Sequence, residues 1–300
     1  MTRSESQDFY LKAGDAIARF SVFGAECREW SVAGRRLTWN GDPATWAGIA
    51  PVLFPVCGWS RDGTIRVGDA KHPMPVHGFA AQSLFEANQV SACELRFTLS
   101  ADADTRTCYP YEFTLEVSYR LSETALEVLL RVGNAGSVPM PYACGLHPGF
   151  LWDGGEGAHH LLFEAEERGR VPIIAPGGLF SQETRPVALR GRVLDLGHGL
   201  FSAEALCFLD TASRRFSFDG PRGRLDVHAP DFPHLVLWSR DGAPFLAIES
   251  WTGTGDPEGF RGDFSDRPSM IHLPAGERRE HRVSYEWHAA ERLAEAANSA

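Results

Sequence analysis

No apolar run in this 300-residue chain approaches the roughly 20 residues that a membrane-spanning helix requires. The opening stretch, Met1-Thr-Arg-Ser-Glu-Ser-Gln-Asp8, is polar and lacks the apolar core of a secretory leader. The six cysteines, at 27, 57, 93, 108, 144 and 207, form no C-x-x-C pair, and no N-x-S/T acceptor occurs. That pattern speaks against a disulfide framework or a zinc site and for reduced thiols in a cytoplasm. Cations are also in short supply. Twenty-nine Lys and Arg face 39 Asp and Glu, a net charge of -10, which excludes nucleic acid and anionic membrane as the main partner. A small neutral ligand remains open, as does a monomer or homodimer.

Several chemical signatures are missing too. Gly253, Gly255 and Gly259 miss the dinucleotide-binding spacing, and Pro257 stands where its helix would begin. Gly58-Trp-Ser60-Arg-Asp-Gly63 is one residue too long for a nucleophile elbow. His159-His160, adjacent in a Gly-rich loop, cannot easily chelate one metal. No cofactor and no metal is expected.

Long helices have little room among 30 glycines and 19 prolines. What is present is strand text. Leu95–Leu99, Phe113–Tyr119 and Ala125–Val132 alternate polar and apolar residues, with Leu121-Ser-Glu-Thr124 placed as a hairpin turn. Ala205–Leu209, Arg215–Phe218, Leu225–Val227, His234–Trp238 and Arg282–Trp287 continue the series. Short alternating strands without helical periods between them predict an all-β chain, one large antiparallel β-sandwich. The expected division is a lead-in over 1–14, a single domain over 15–288, and a short helical or disordered tail over 289–300.

The apolar run Phe245-Leu-Ala-Ile248 ends on a carboxylate, Glu249, followed by Trp251 and a Gly-rich loop. A Glu at the end of a buried strand is either paired with a cation or used chemically, because burying it alone is costly. His77 and His147 each lie between a Pro-rich approach and a Gly-Phe or Pro-Gly-Phe step, where glycine lets a ligand or another backbone come close. Singly each is a hydrogen-bonded structural histidine or a functional one. Together with Glu249 they supply both halves of an acid/base pair.

These residues fall in ordered landmarks: Gly24-Ala-Glu26, Trp39-Asn-Gly-Asp-Pro43 through Trp46, and Pro51-Val-Leu-Phe-Pro55 with Gly58. Val76-His77-Gly-Phe-Ala80, Tyr109-Pro-Tyr-Glu-Phe113, His147-Pro-Gly-Phe150 and Phe245-Leu-Ala-Ile-Glu249 follow. In that order, over roughly residues 15 to 287, the chain resembles the aldose 1-epimerase (mutarotase) family, in particular its bacterial LacX-like branch. The resemblance implies a large antiparallel β-sandwich with a sugar bound on its concave face. It implies Glu249 as the base that takes the C1 hydroxyl proton, His147 as the acid that protonates the ring oxygen, and His77 as an assisting contact. Trp59, Phe79, Phe150 and Trp251 are candidates for an aromatic sugar platform, with plain core packing the other reading of each. Relatives of this branch commonly read Gly-Arg where this chain has Gly58-Trp59, so Arg61 becomes the candidate sugar-binding arginine. Glu204 stands where relatives tend to carry Asp and is a candidate hydroxyl ligand. The implied activity is interconversion of the α and β anomers of an aldose. Two rivals accompany it: a sugar-binding or sugar-sensing protein without turnover, motivated by Trp59, and a hexose 6-phosphate epimerase, for which Arg61, Arg66 and Lys71 are the nearest cations.

Overall fold

The computed structural model describes residues 7–152 and 158–290. Its largest element is an antiparallel sheet of ten strands, running from Leu189–Arg190 at one edge to Glu86–Gln89 at the other. The central strands are Gly223–His228, Arg278–Ala289, Ala125–Asn134 and Phe113–Leu121. Phe113–Leu121 buries every second residue, the period that one wet and one dry sheet face imposes. Leu121 pairs with Leu126, closing the hairpin where the turn residues sit.

A second sheet of six strands carries the candidate site. Its order is Leu206–Phe208, His234–Trp238, Phe245–Trp251, Gly145–Leu146 and Val52–Leu53, with Gly149–Leu151 also paired to Phe245–Trp251. One face of this sheet, through Leu235, Leu237, Leu246, Ile248 and Phe150, joins the main hydrophobic core with Leu115, Val117, Val128 and Leu130 of the ten-stranded sheet. Phe150 meets Tyr285 of the large sheet with ring centroids 5.3 Å apart. The chain is therefore an all-β molecule with two large antiparallel sheets facing across one core, as the alternation predicts.

Three boundaries differ from the sequence reading. The lead-in over 1–14 contains a strand, Asp8–Ala13, paired with Ala16–Ser21 in a separate four-stranded sheet. A short helix, Ala103–Cys108, interrupts the strands; the Asp102 side chain caps it by accepting from the Thr105 amide while the Thr105 hydroxyl oxygen accepts from the Asp102 amide. Glu249 lies inside its strand, two residues before the end, and all seven residues of Phe245–Trp251 are buried. The expected tail helix falls almost wholly in 291–300, outside the described residues.

Candidate active site

The antiparallel register decides which side chains share the outer face of the six-stranded sheet, because directly opposed residues point the same way. Val236 opposes Glu249, Trp238 opposes Ala247, and His234 opposes Trp251. Gly145 also opposes Trp251 and Gly149 opposes Ala247. In Gly145-Leu-His147-Pro-Gly149-Phe150 the odd positions thus take the outer face and the even ones the core. That alternation puts His147 beside Glu249 and sends Phe150 into the core, so Phe150 is not a sugar platform.

The imidazole Nε2 of His147 stands 3.3 Å from Oε1 of Glu249. The other carboxylate oxygen accepts a hydrogen bond of 2.9 Å from the Trp251 indole N–H. His147 meets His77 edge to face at 5.5 Å, and His77 meets Trp251 at the same separation. The three residues singled out in the sequence therefore converge on one spot, with Trp251 as a fourth member.

His77 adopts a left-handed backbone conformation, φ 64°, uncommon for a residue with a side chain and concentrated at constrained or functional positions. Gly78 holds it there: a Cβ on Gly78 would lie 2.0 Å from the Phe54 carbonyl oxygen, so only glycine fits. The Gly58 amide donates to His77 Nδ1 at 3.1 Å. Neutral His77 must then carry its hydrogen on Nε2.

Burial sets the electrostatics. It raises the Glu249 carboxyl well above the ordinary carboxylate range, a shift the Trp251 hydrogen bond partly offsets. It lowers His147 well below its ordinary value, with the neighbouring His77 adding to the effect. It brings His77 down to about 4. Glu249 and His147 thus share one proton as a pair, their neutral forms favoured by the dry surroundings.

Aromatic rings enclose His147. Trp46 lies over the imidazole with centroids 4.9 Å apart and planes 31° apart, and Trp238 meets it edge-on at 5.7 Å. Phe245, on the outer face, stacks on Trp46 at 5.1 Å. The His147 Nδ1 atom is buried without a hydrogen-bond partner, so ring packing is what holds the imidazole. Trp46 fits only because residue 149 is glycine: a Cβ there would come within 2.9 Å of the Trp46 ring. Gly149→Ala is expected to cost about 1–3 kcal/mol by overpacking, read as a lower urea midpoint with an unchanged m-value. A loss under about 0.5 kcal/mol, the scale of an ordinary surface substitution, would mean that Trp46 shifts freely and does not clamp His147.

Neither Trp46 nor Trp238 was singled out as a site residue from the sequence. Trp238 was legible in principle, since it shares the parity of Val236 in an identified strand. Trp46 lies in a loop, where no periodicity tells which way a ring faces. Glu26, buried, supports the same region by accepting from the amides of Ile49 and Ala50, next to the Pro51 carbonyl that receives the His147 amide.

The remaining candidates scatter. Phe79 packs against Phe54, Tyr109 and Phe113 in the core, so it too is core rather than platform. Arg61 turns away: its Nε donates to the Phe260 carbonyl at 3.0 Å, because the Asp256 carboxylate fixes its backbone amide at 2.7 Å. Trp59 is 47% exposed and lies against Gly178 in the turn between the strands Arg170–Ala175 and Leu179–Pro186. Glu204 is exposed in a turn, φ 79°, three residues before Cys207, which shares the outer face by opposing Val236. Among the described residues no group of three or more His, Cys, Asp or Glu could hold a metal ion, and no helix is long and apolar enough to cross a membrane.

A buried carboxylate and imidazole thus stand side by side on the outer face of the six-stranded sheet, and the aldose 1-epimerase family model matches residues 9–286. The chain belongs to that family. It is 31% identical to protein LacX, plasmid form, of Lactococcus lactis subsp. lactis over 235 residues, 73% of this chain and 79% of that protein; the chromosomal form matches equally. A crystal structure of a galactose mutarotase-like protein from Lactobacillus casei superposes with a TM-score of 0.88 at 27% identity, covering 94% of this chain and all of the other. A galactose 1-epimerase from Lactobacillus acidophilus shares the fold at 15% identity, with a TM-score of 0.70 over 95% and 99% of the two chains.

Proposed function

We propose that this protein is an aldose 1-epimerase that opens and re-closes a pyranose without a cofactor, acting as one domain over 15–288 in the cytoplasm. The observation that carries the reading is the 3.3 Å separation of His147 Nε2 and Glu249 Oε1. An acid and a base on opposite sides of a sugar ring would stand roughly 5–8 Å apart, allowing hydrogen-bond reach on each side. The two oxygens that exchange protons in ring opening hang from the same carbon, C1, so the catalytic groups need to be neighbours. The observed spacing is shorter than the roughly 5–8 Å expected of groups facing each other across a ring and supports instead two neighbours acting on the oxygens of C1.

In the proposed step Glu249 takes the proton of the C1 hydroxyl while His147 gives one to the ring oxygen. The bond from C1 to the ring oxygen breaks, leaving an aldehyde at C1 and a hydroxyl at C5. Rotation about C1–C2 exposes the other carbonyl face. Closure then runs the transfers backwards, with Glu249 now the acid and His147 the base, and no net proton is consumed. Ring opening starts from carboxylate and imidazolium, ring closure from the neutral pair. These differ only in where the shared proton sits. His77, with its hydrogen on Nε2, is a neutral donor for the same oxygen region. Trp251 beside Glu249 and Trp59 remain the proposed sugar contacts.

The test is two-dimensional NMR exchange, or polarimetry, on freshly dissolved α-glucose and α-galactose. Interconversion faster than buffer supports the assignment; saturable sugar binding with no acceleration across a panel of aldoses would replace it with the non-catalytic reading. The pH dependence follows from the shared proton. With Glu249 raised and His147 lowered, kcat/KM is expected to form a broad plateau. It falls at alkaline pH as the pair loses its one proton, and at acid pH as it gains a second. A single rise through about pH 4 to 5, where a solvated Glu titrates, would show that Glu249 acts alone.

A further inference from the structure

Arg61, turned away from the carboxylate–imidazole pair, enters a cleft of about 80 Å³ whose walls also carry Arg66, Lys71 and Arg261. We infer that this cleft is a binding site for one small oxyanion of the phosphate type, either free or as the phosphoryl group of an ester.

Four observations support it. First, four cations gather in a chain whose net charge is -10, where scattered pairing with the surplus of carboxylates would be the default. Second, among the described residues none of them has an ion pair there. Asp256, the buried acid of the cleft, is committed to Arg267, which approaches within 3.0 Å, and to the Arg61 amide. Asp263, which lies near Arg66, has its oxygens occupied by the Gly68 amide and by Ser265. Asp62 is exposed. Third, Arg66 and Lys71 are directly opposed on the two-stranded hairpin Thr64–Val67 and Ala70–Pro73, an arrangement of like charges that destabilises a hairpin unless something negative lies between them. Fourth, one nitrogen of the Arg61 guanidinium, Nη2, is buried without a hydrogen-bond partner. A buried donor left unmade is costly, and a turn of the guanidinium toward a bound oxyanion would satisfy it.

Size selects the ligand. The volume exceeds two waters at about 30 Å³ each and falls far below the roughly 300 Å³ at which pockets for drug-sized molecules begin. A single tetrahedral oxyanion fills it, with the rest of any ester lying outside the cleft. Guanidinium groups suit such an oxyanion because their paired N–H groups match two of its oxygens at once.

The experiment is titration of the whole protein with inorganic phosphate, followed by calorimetry and by backbone amide NMR, against chloride at matched ionic strength to remove screening. One saturable site is expected, with shifts gathered at residues 61–66, 71 and 260–262. Arg66→Glu with Lys71→Glu, and separately Arg261→Glu, are expected to weaken it at least tenfold with the circular dichroism spectrum unchanged. All three side chains are exposed, so at least one variant folds. A parallel titration with glycerol phosphate separates the sources: tighter binding than inorganic phosphate assigns an esterified phosphoryl group, equal or weaker binding a free anion. Phosphate responses indistinguishable from chloride, or charge-reversed variants that bind as wild type does, would overturn the inference.

Discussion

Glu249→Gln is expected to lower the turnover of anomer exchange by about 10²- to 10⁴-fold, the contribution of one positioned proton-transfer group, while the protein stays folded. Glutamine keeps the shape, and its carbonyl can accept the 2.9 Å hydrogen bond from the Trp251 indole. It cannot take a proton from a hydroxyl. Stability should hold or rise, because the wild-type side chain is only 1% exposed and its charged form is disfavoured by burial. Loss of activity with an unchanged or higher unfolding midpoint is the combination to look for. It separates a chemical role from a structural one: a Glu249 that only braced the strand would lower the midpoint on substitution and leave the rate of surviving protein intact. Exchange rates within a few-fold of wild type would remove Glu249 as the base.

The same residue illustrates what could be read in advance. Phe113–Leu121 and Ala125–Asn134 have one wet face, so alternation exposes their strand character and places their core side chains. Phe245–Ile248 is apolar without alternation because both faces of its sheet are covered. The sequence therefore marks a buried strand there and cannot say which face Glu249 takes. That answer came from register, with Val236 and the gap around His147 opposite. Phe150 took the core packing of its two readings because it stands an odd number of residues from His147 and so faces the other way. Phe79, separated from His77 by one glycine, also points to the core. Arg61 was lost to a different cause. Its direction depends on Asp256, 195 residues away, and no local pattern carries such a contact. The helix Ala103–Cys108 is too short to show a helical period, and only its Asp102–Thr105 cap would have given it away.

Arg267→Met is the second large effect expected, this time on stability. Arg267 is 2% exposed. Its Nε lies 3.0 Å from the Asp256 carboxylate, its Nη2 donates to the carbonyls of Thr254 and Trp59, and its Nη1 donates to the Ser60 hydroxyl. Methionine keeps much of the volume and none of the donors, so Asp256 is left buried without its cation. Breaking one side of a buried pair in this way costs about 3–5 kcal/mol. Asp256→Asn in the same chain should recover part of that, since an amide oxygen can still accept from the Arg61 amide and no charge is stranded. Urea unfolding of the two single variants and the double variant gives the coupling directly. The consequence reaches the site: Arg267 ties the 254–256 loop to Trp59 and Ser60, and Gly58, one residue before, is the donor that fixes the His77 tautomer. The Arg267 variant should therefore lose turnover as well as stability, through His77 rather than through Glu249, and its pH plateau should keep its shape. A loss below about 1 kcal/mol, the scale of an exposed ion pair, would show that this cluster is solvated and holds nothing in place.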